Sequence, residues 1–457
     1  MRLFLSIVFL LGLWLLPLVQ AENPEKVPAY VPAFLKTKLT DLTPREKEVL
    51  YYVVKASTLM DRIFFLQVYA KNPEALKALK EYDGKDKDFL EDYFRINFGP
   101  FDRLEENRAF FGNFKKPAGA GFYPEGMGKK EFTEYLEKNP QQKERFESPY
   151  TLIVREKGEL KAVPYPQVYE ELLKECVEYL NKAASLSENK SLKKYLQSRA
   201  NDLLTNDYFQ SDCDWLDILD NHVELVIGPY EVYEDDLFNY KAAYESFVYL
   251  NDIEETARVQ AFIGCLKEMQ DRFPVDKKYL SENIPALSPL KVADLIFSAG
   301  DAKAGVNSIA FALPNDEKVR ELKGSKKIIL QNMMEAKYKH ILFPIAEKLI
   351  ANEQLEHVRF KSFLYHVILH ELSHPLGTDY VYPPQEKMPV RKALKETYSL
   401  IEEAKADVAG LYNALLMIEK KVIPTELKKA IFVTQLASMF RSMRFGEIGR
   451  ASCRERV

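Results

Sequence analysis

Cysteine and excess charge are both scarce in this 457-residue chain. The four cysteines lie far apart, at Cys176, Cys213, Cys265 and Cys453. This spacing excludes a disulfide-rich scaffold and a CxxC metal site, and leaves room for one disulfide. The 64 lysines and arginines are offset by 68 aspartates and glutamates, and the net charge of −4 gives no long-range attraction to nucleic acid or an anionic membrane. A specific partner must therefore be recognised by a local site.

The N-terminus carries the one long hydrophobic run. Met1-Arg2 is followed by apolar residues from Leu3 to Leu18 and by the small residue Ala21. A short basic start, an apolar stretch and a small residue at the end predict a signal peptide over residues 1–21, and export to the periplasm or the extracellular space. An uncleaved membrane anchor is the alternative. The residue directly after the cleavage point is not a cysteine, which argues against a lipid-anchored form.

Local patterns predict both helices and strands. Thr43-Pro44-Arg45-Glu46 combines a capping residue, a proline and a glutamate three residues after the cap, which predicts the start of a long helix. The β-favouring runs 150–154 and 160–163 predict a hairpin. Further strands are predicted at His222–Pro229 and at 309–313.

One stretch has a spacing that points to chemistry. His370-Glu371-Leu372-Ser373-His374 is an H-E-x-x-H pattern, and residues four apart share one face of a helix. Two imidazoles can then bind one zinc ion while Glu371 lies beside them. A buried helix with two structural histidines would look the same, so the interpretation needs a third ligand.

A helix that follows downstream offers this ligand. Apolar residues recur there every three or four positions, which predicts a buried stripe made of Ile401, Ala404, Val408, Leu411, Leu415 and Ile418. Glu403 and Asp407 lie at the edge of this stripe. Assigning Glu403 as the third ligand leaves a fourth position for water, whose proton Glu371 can accept. Glu402 and Asp407 are predicted to orient the two histidines.

Two residues next to the H-E-x-x-H motif, His366 and Pro375, also bear on the proposed zinc site. His366 lies two helical turns, roughly 12 Å, from His374, whereas two nitrogens on one zinc ion lie within about 4 Å, so His366 is not a ligand. It is predicted to belong to the core or to support the ligands. Pro375 disfavours the α conformation at His374, which predicts that the second ligand lies at a frayed helix end.

With both motifs in hand, the chain resembles the dipeptidyl-peptidase III family of zinc peptidases. The segment 402–407 (Glu-Glu-Ala-Lys-Ala-Asp) matches the family pattern E-E-x-[RK]-A-[ED]. The resemblance implies that His370, His374 and Glu403 bind zinc and that Glu371 is the catalytic carboxylate. Many members have three residues between the histidines where this chain has two, so the usual helical bulge is expected to be absent.

Other segments extend the resemblance to substrate binding. Gly228-Pro229-Tyr230-Glu231-Val232-Tyr233 resembles the family segment in which the acid and the tyrosine hold the amino end and the scissile region of a peptide. The family's N-x-P-N motif appears as Ala312-Leu313-Pro314-Asn315. The substrate-binding role therefore carries over to Glu231, Tyr233 and Asn315. It does not carry over to Ala312, so one hydrogen bond to the substrate backbone is missing.

The resemblance implies an α+β, predominantly helical fold with two lobes, a substrate cleft and a zinc site on the helical lobe. Residues 22–300 are predicted to form a mixed α/β region with the substrate-binding segments, and residues 301–447 an incomplete zinc-binding region. The sequence departs from the family pattern after Ser442-Met443-Arg444-Phe445-Gly446, so residues 448–457 are interpreted as a non-native tail and the reading frame as truncated.

The expected activity is the release of dipeptides from the N-terminus of short peptides, with one Zn²⁺ per chain. The expected partners are short peptides. Binding to nucleic acid and stable insertion into a membrane after leader cleavage are not expected. The chain is expected to be a monomer. Two alternatives stay open: a peptide-binding protein of the same fold with little or no turnover, and a zinc hydrolase acting on a non-peptide amide.

Overall fold

The computed structural model describes residues 30, 32–280, 289–378, 380–381 and 388–443. The predicted leader (1–21) and the predicted tail (448–457) lie outside these residues. Within the described part, no helix combines the length and the apolar character needed to cross a membrane. Cys176, Cys213 and Cys265 are free thiols.

The first long helix, α1 (Pro44–Val68), begins where the sequence predicts it. The Thr43 hydroxyl accepts a hydrogen bond from the Glu46 backbone N–H at 3.2 Å, and the Glu46 carboxylate accepts one from the Thr43 N–H at 2.8 Å. This reciprocal capping box satisfies two of the N–H groups that a helix start leaves open. The capping prediction is therefore confirmed.

Around α1 the first part of the chain is mainly helical. Its remaining helices are α2 (Asn72–Glu81), α3 (Lys87–Asn97), α4 (Lys129–Lys138), α5 (Lys143–Glu147), α6 (Tyr165–Val168), α7 (Glu170–Leu186), α8 (Lys190–Thr205) and α9 (Phe209–Leu216). Two small antiparallel pairs join them: β1 (Phe101–Asp102) with β2 (Arg108–Ala109), and β3 (Thr151–Glu156) with β4 (Glu159–Pro164). The predicted hairpin is the second of these pairs.

A five-stranded sheet forms the middle of the molecule. Its strands are β5 (Val223–Glu231), β6 (Ala243–Asn251), β7 (Leu290–Gly300), β8 (Ala310–Leu313) and β9 (Lys326–Leu330), in the order β5-β6-β7-β9-β8. All neighbouring strands are antiparallel except β7 and β9, which are parallel. The short strand β8 is an edge strand, and its Ala312 is paired with Lys327 of β9.

The second part of the chain is again helical. Its helices are α10 (Ile253–Ile263), α11 (Leu266–Asp271), α12 (Glu317–Lys323), α13 (Gln331–Lys337), α14 (Phe343–Leu349), α15 (Phe360–Ser373), α16 (Val390–Leu394), α17 (Tyr398–Glu419) and α18 (Leu427–Met443). With its helical majority and small sheets, the chain has the α+β, predominantly helical fold that the sequence predicts.

Two large apolar cores correspond to the two lobes. One contains α1, α7, α8 and one side of the sheet, and the other contains α10, α15, α18 and residues from β7 and β9. Strand β9 contributes to both, because successive side chains of a strand point to opposite faces: Ile328 and Leu330 lie in the first core and Ile329 in the second. The sheet therefore joins the lobe that carries α1 to the lobe that carries α15.

The predicted apolar stripe on α17 is wrong over the first half of the helix, whereas Ile418 near its end is buried as predicted. Ile401 and Val408 are exposed, Val408 by 72%. The buried face instead carries Glu403, Ala406 and Ala414. Small residues there allow α17 to approach α15 closely, and this packing, rather than the largest apolar side chains, sets which face is buried.

Candidate metal centre

Helix α15 carries the first half of the site. It is buried along almost its whole length because its sequence is apolar on every side. His370 is fully buried, whereas the side chain of His374 keeps about 27% of its exposure. The two imidazole rings lie 4.8 Å apart between centroids, as expected for residues one helical turn apart.

Helix α17 supplies the third ligand candidate. Glu403 lies with one carboxylate oxygen 3.3 Å from His370 Nε2 and the other 3.7 Å from His374 Nε2. The three ligand atoms lie within 4.8 Å of one another. Two ligands at about 2.1 Å from a tetrahedral zinc ion are about 3.4 Å apart, so a small inward movement of the side chains would bring these atoms to one ion. Two imidazoles and one carboxylate are a donor set that suits Zn²⁺.

The outer nitrogens of the histidines are held by two carboxylates. Asp407 Oδ1 lies 2.6 Å from His370 Nδ1, and Glu402 Oε1 lies 3.1 Å from His374 Nδ1. Each contact fixes the ring so that Nε2 points towards Glu403. Burial acts to raise the pKa of Glu402, but hydrogen bonds from His374 and Lys405 outweigh this and lower its pKa. The structure thus places Glu402 and Asp407 beside the outer nitrogens of the two histidines.

His366 lies one turn before His370 and is outside the ligand set. Its Nε2 is 3.3 Å from the backbone carbonyl oxygen of Asp407. The side chain is buried between α15 and α17. It therefore contacts the helix that carries Glu403 and does not approach the ligand atoms.

The prediction that His374 lies at the end of its helix is confirmed, because α15 ends at Ser373, but this end is not frayed. His374 has α-helical dihedral angles, φ −56° and ψ −48°, although Pro375 follows it. Lys405 Nζ donates hydrogen bonds of 2.8 Å to the carbonyl oxygens of His374 and Leu376. The buried amide of Gln270 pairs with Gly377, accepting from its N–H at 2.9 Å and donating to its carbonyl at 3.1 Å. These contacts hold the turn and outweigh the local preference of a residue before proline.

Gly410 is a functional residue that the sequence analysis missed. A Cβ atom at this position would lie 2.9 Å from the backbone N of His370. Only glycine therefore lets α17 approach α15 closely enough to bring Glu403 to the histidines. The available indication was the spacing Ala406, Gly410, Ala414, three small residues at intervals of four on one helix face.

Glu371 follows His370 on α15, and its carboxylate contacts a side chain of the sheet. Its side chain is 23% exposed, and its Oε2 lies 3.4 Å from Nζ of Lys327 on β9. A carboxylate beside a metal ligand and open to solvent can accept a proton from water.

The structure also brings together Glu231, Tyr233 and Asn315. The Asn315 side-chain amide donates to Glu231 Oε1 at 3.2 Å and to the Tyr230 carbonyl at 3.0 Å. Tyr233 is 57% exposed. Burial raises the pKa of Glu231, partly offset by hydrogen bonds from Asn315 and Tyr233.

Two further carboxylates lie close to Glu231. Burial, together with the charges of Asp301 and Glu231, raises the pKa of Glu245 well above its usual value. Burial and the nearby Glu234 and Glu231 raise the pKa of Asp301 to about 7, although Arg103 acts against this. This group of acidic side chains is well suited to a positive charge.

Comparisons with solved structures identify proteins with a similar fold. Among solved structures, DPP III from Caldithrix abyssi is 48% identical and superposes with a TM-score of 0.86, covering 91% of this chain and 80% of that chain. Dipeptidyl-peptidase III from Corallococcus sp. strain EGB is 36% identical, with a TM-score of 0.74, 91% of this chain covered and 78% of that chain.

Sequence comparisons identify the family. Nudix hydrolase 3 of Arabidopsis thaliana is 36% identical over 470 residues, and the match covers 91% of this chain. The chain spans 60% of the length of that curated relative. A model of peptidase family M49 matches residues 142–378, a little more than half of the chain. The chain belongs to peptidase family M49.

Proposed function

We propose that this protein is a zinc-dependent peptidase that releases dipeptides from the N-terminus of short peptides. The observation that carries the proposal is the path of strand β8 between two sites. At Ala312, β8 is paired with Lys327, whose ammonium lies 3.4 Å from Glu371. Three residues later, Asn315 donates to Glu231.

A peptide can run alongside β8 in the direction from Asn315 back to Ala312. With its ammonium at Glu231, it would extend towards Lys327 and the carboxylate of Glu371. Two residues, the unit that would be released, span about 7 Å. Among the described strands, β8 has no neighbour on its outer side, so its backbone can pair with an extended peptide.

The residues of the chain have separate tasks in this reaction. Zn²⁺, when bound by His370, His374 and Glu403, supplies a Lewis acid that lowers the pKa of water and polarises a carbonyl. Glu371 accepts the proton of the attacking water at its carboxylate and can deliver it to the leaving amine.

The supporting residues hold their partners in place. Asp407 and Glu402 keep the two imidazoles oriented through Nδ1. Glu231 binds the substrate ammonium, Asn315 fixes the Glu231 carboxylate, and the exposed hydroxyl of Tyr233 is available to the substrate.

The test is incubation of the zinc-loaded protein with pentapeptides that carry either a free or an acetylated N-terminus, with products identified by mass spectrometry. We expect dipeptides from the free peptides and little product from the acetylated ones, because acetylation removes the charge that Glu231 would bind. Release of single amino acids or internal cleavage would contradict the proposal. Bound zinc and bound peptide without cleavage would favour the peptide-binding alternative.

A further inference from the structure

We propose that Lys327 is a positioning residue that holds the carboxylate of Glu371 from the sheet side of the cleft. The inference rests on the proposed function, because it assigns Lys327 a part in the same reaction. The contact itself is direct: Lys327 Nζ lies 3.4 Å from Glu371 Oε2, and the two residues belong to β9 and α15.

The direction of Lys327 is set by the pleat of its strand. Ile329, two residues along, points to the same face and lies in the core beneath α15 together with Leu364, Ile368 and Leu372. Lys327 extends from this packed strand towards the last turn of α15. Its position relative to Glu371 is therefore fixed by a buried interface rather than by a loop.

Lys326, the preceding residue, points to the opposite face of β9 and has a different role. Lys326 is completely buried, donates to the carbonyl oxygens of Trp215 and Ile218, and forms an ion pair of 2.8 Å with Glu224. Lys326 is thus a structural cation. The side chain of Lys327, in contrast, keeps 39% of its exposure and ends beside the proposed proton acceptor.

A partly exposed ion pair of this kind adds little to folding stability. A glutamate has three rotatable side-chain bonds, and a directed hydrogen bond reduces the number of orientations it adopts. Holding Glu371 in the orientation that receives a proton affects the rate of the chemical step more than the binding of the substrate.

The position of the Lys327 side chain also depends on Ala312, which stands where the family motif N-x-P-N has an asparagine. In the antiparallel pair of β8 and β9, Ala312 is directly opposite Lys327, and paired residues present their side chains on one face. The small methyl group of Ala312 leaves space beside the lysine. Lys327 can therefore reach Glu371 without competing for volume with a larger partner.

The experiment compares Lys327→Met, Lys327→Arg and the control Lys348→Met, which removes an exposed lysine from α14. Steady-state kinetics on a free-amino pentapeptide are measured with zinc content. For Lys327→Met we expect kcat to fall about 10- to 100-fold with KM within about twofold and zinc retained. Lys327→Arg should recover most of the loss, and Lys348→Met should match the wild type.

A wild-type kcat in Lys327→Met, a loss confined to KM, or an equal loss in Lys327→Arg or Lys348→Met would each overturn the assignment. A wild-type protein that binds zinc but cleaves no peptide would refute the proposed function instead. The contact is tested separately by combining Lys327→Met with Glu371→Gln. If Lys327 acts through Glu371, the double variant should have the kcat of Glu371→Gln within about twofold, and a further fall of about tenfold would show that Lys327 acts on another group.

Discussion

Two groups of carboxylates, one at the metal centre and one around Glu231, differ in how their charge is balanced. At the metal centre Glu402 and Asp407 each accept a hydrogen bond from a histidine ring, and Lys405 contacts Glu402 at 2.8 Å. Around Glu231, three carboxylates crowd together, and the pKa values of Glu231, Glu245 and Asp301 are all raised.

The difference has a physical cause in the elements that carry the two groups. The metal centre lies between two helices whose close contact aligns donors and acceptors one turn apart. The Glu231 group lies at the ends of strands and in turns, where residues distant in sequence meet with like charge. The first group has the donors to hold a metal, whereas the second would be stabilised by a positive charge, such as the ammonium of the proposed substrate.

The largest expected effect is that of Glu371→Gln at the metal centre. The amide cannot accept a proton, so kcat should fall by about 10³-fold or more while zinc remains bound. Zinc analysis and dipeptide release from the same preparation measure both quantities. Unchanged turnover would show that Glu371 is not the proton acceptor.

The next effect concerns the support of the ligands. Asp407→Asn replaces the carboxylate that accepts from His370 Nδ1, and zinc affinity should fall about 10- to 100-fold. Competition with a chromogenic zinc chelator measures this change. Asp61→Asn, which alters a carboxylate that contacts Lys303 and the Gly300 N–H, is a control with no expected effect on zinc.

On the other side of the comparison, Glu231→Gln should leave zinc affinity unchanged and raise KM. The variant lacks the negative charge that would pair with the substrate ammonium, so KM is expected to increase about tenfold for peptides with a free amino end. Initial rates over a range of peptide concentrations provide the value. A fall in zinc affinity in this variant would mean that the two groups are not independent.

The smallest effect is a pH dependence of the Glu231 group. Because the pKa of Asp301 is raised to about 7, its carboxyl gains negative charge as the pH rises from 6 to 8. Ammonium binding should then strengthen, so KM should fall by about two- to fivefold more in the wild type than in Asp301→Asn. Taking the difference between the two proteins removes the titration of the peptide's own amino group. Parallel KM profiles would exclude a role of Asp301.

The sequence by itself was sufficient for features that depend on local spacing. The capping box at Thr43 and the hairpin of β3 and β4 follow from residues close together in the chain. The pairing of His370 with His374 follows from the helical period. The choice of Glu403 needed only a second motif on a second helix, since the ligand types that zinc prefers restrict the candidates.

The tertiary structure determined what depends on how the elements pack. The buried face of the first half of α17 was mispredicted because its small residues, with Gly410 against the backbone of His370, matter more there than the largest apolar ones. His374 keeps α-helical dihedral angles before Pro375 because Lys405 and Gln270 hold the turn, Gln270 through Gly377, which lies 107 residues later in the chain. The contact between Lys327 and Glu371 likewise requires the sheet and α15 to share a core. Local periodicity fixes which residues share a face, whereas the partner of that face is set by contacts between distant segments.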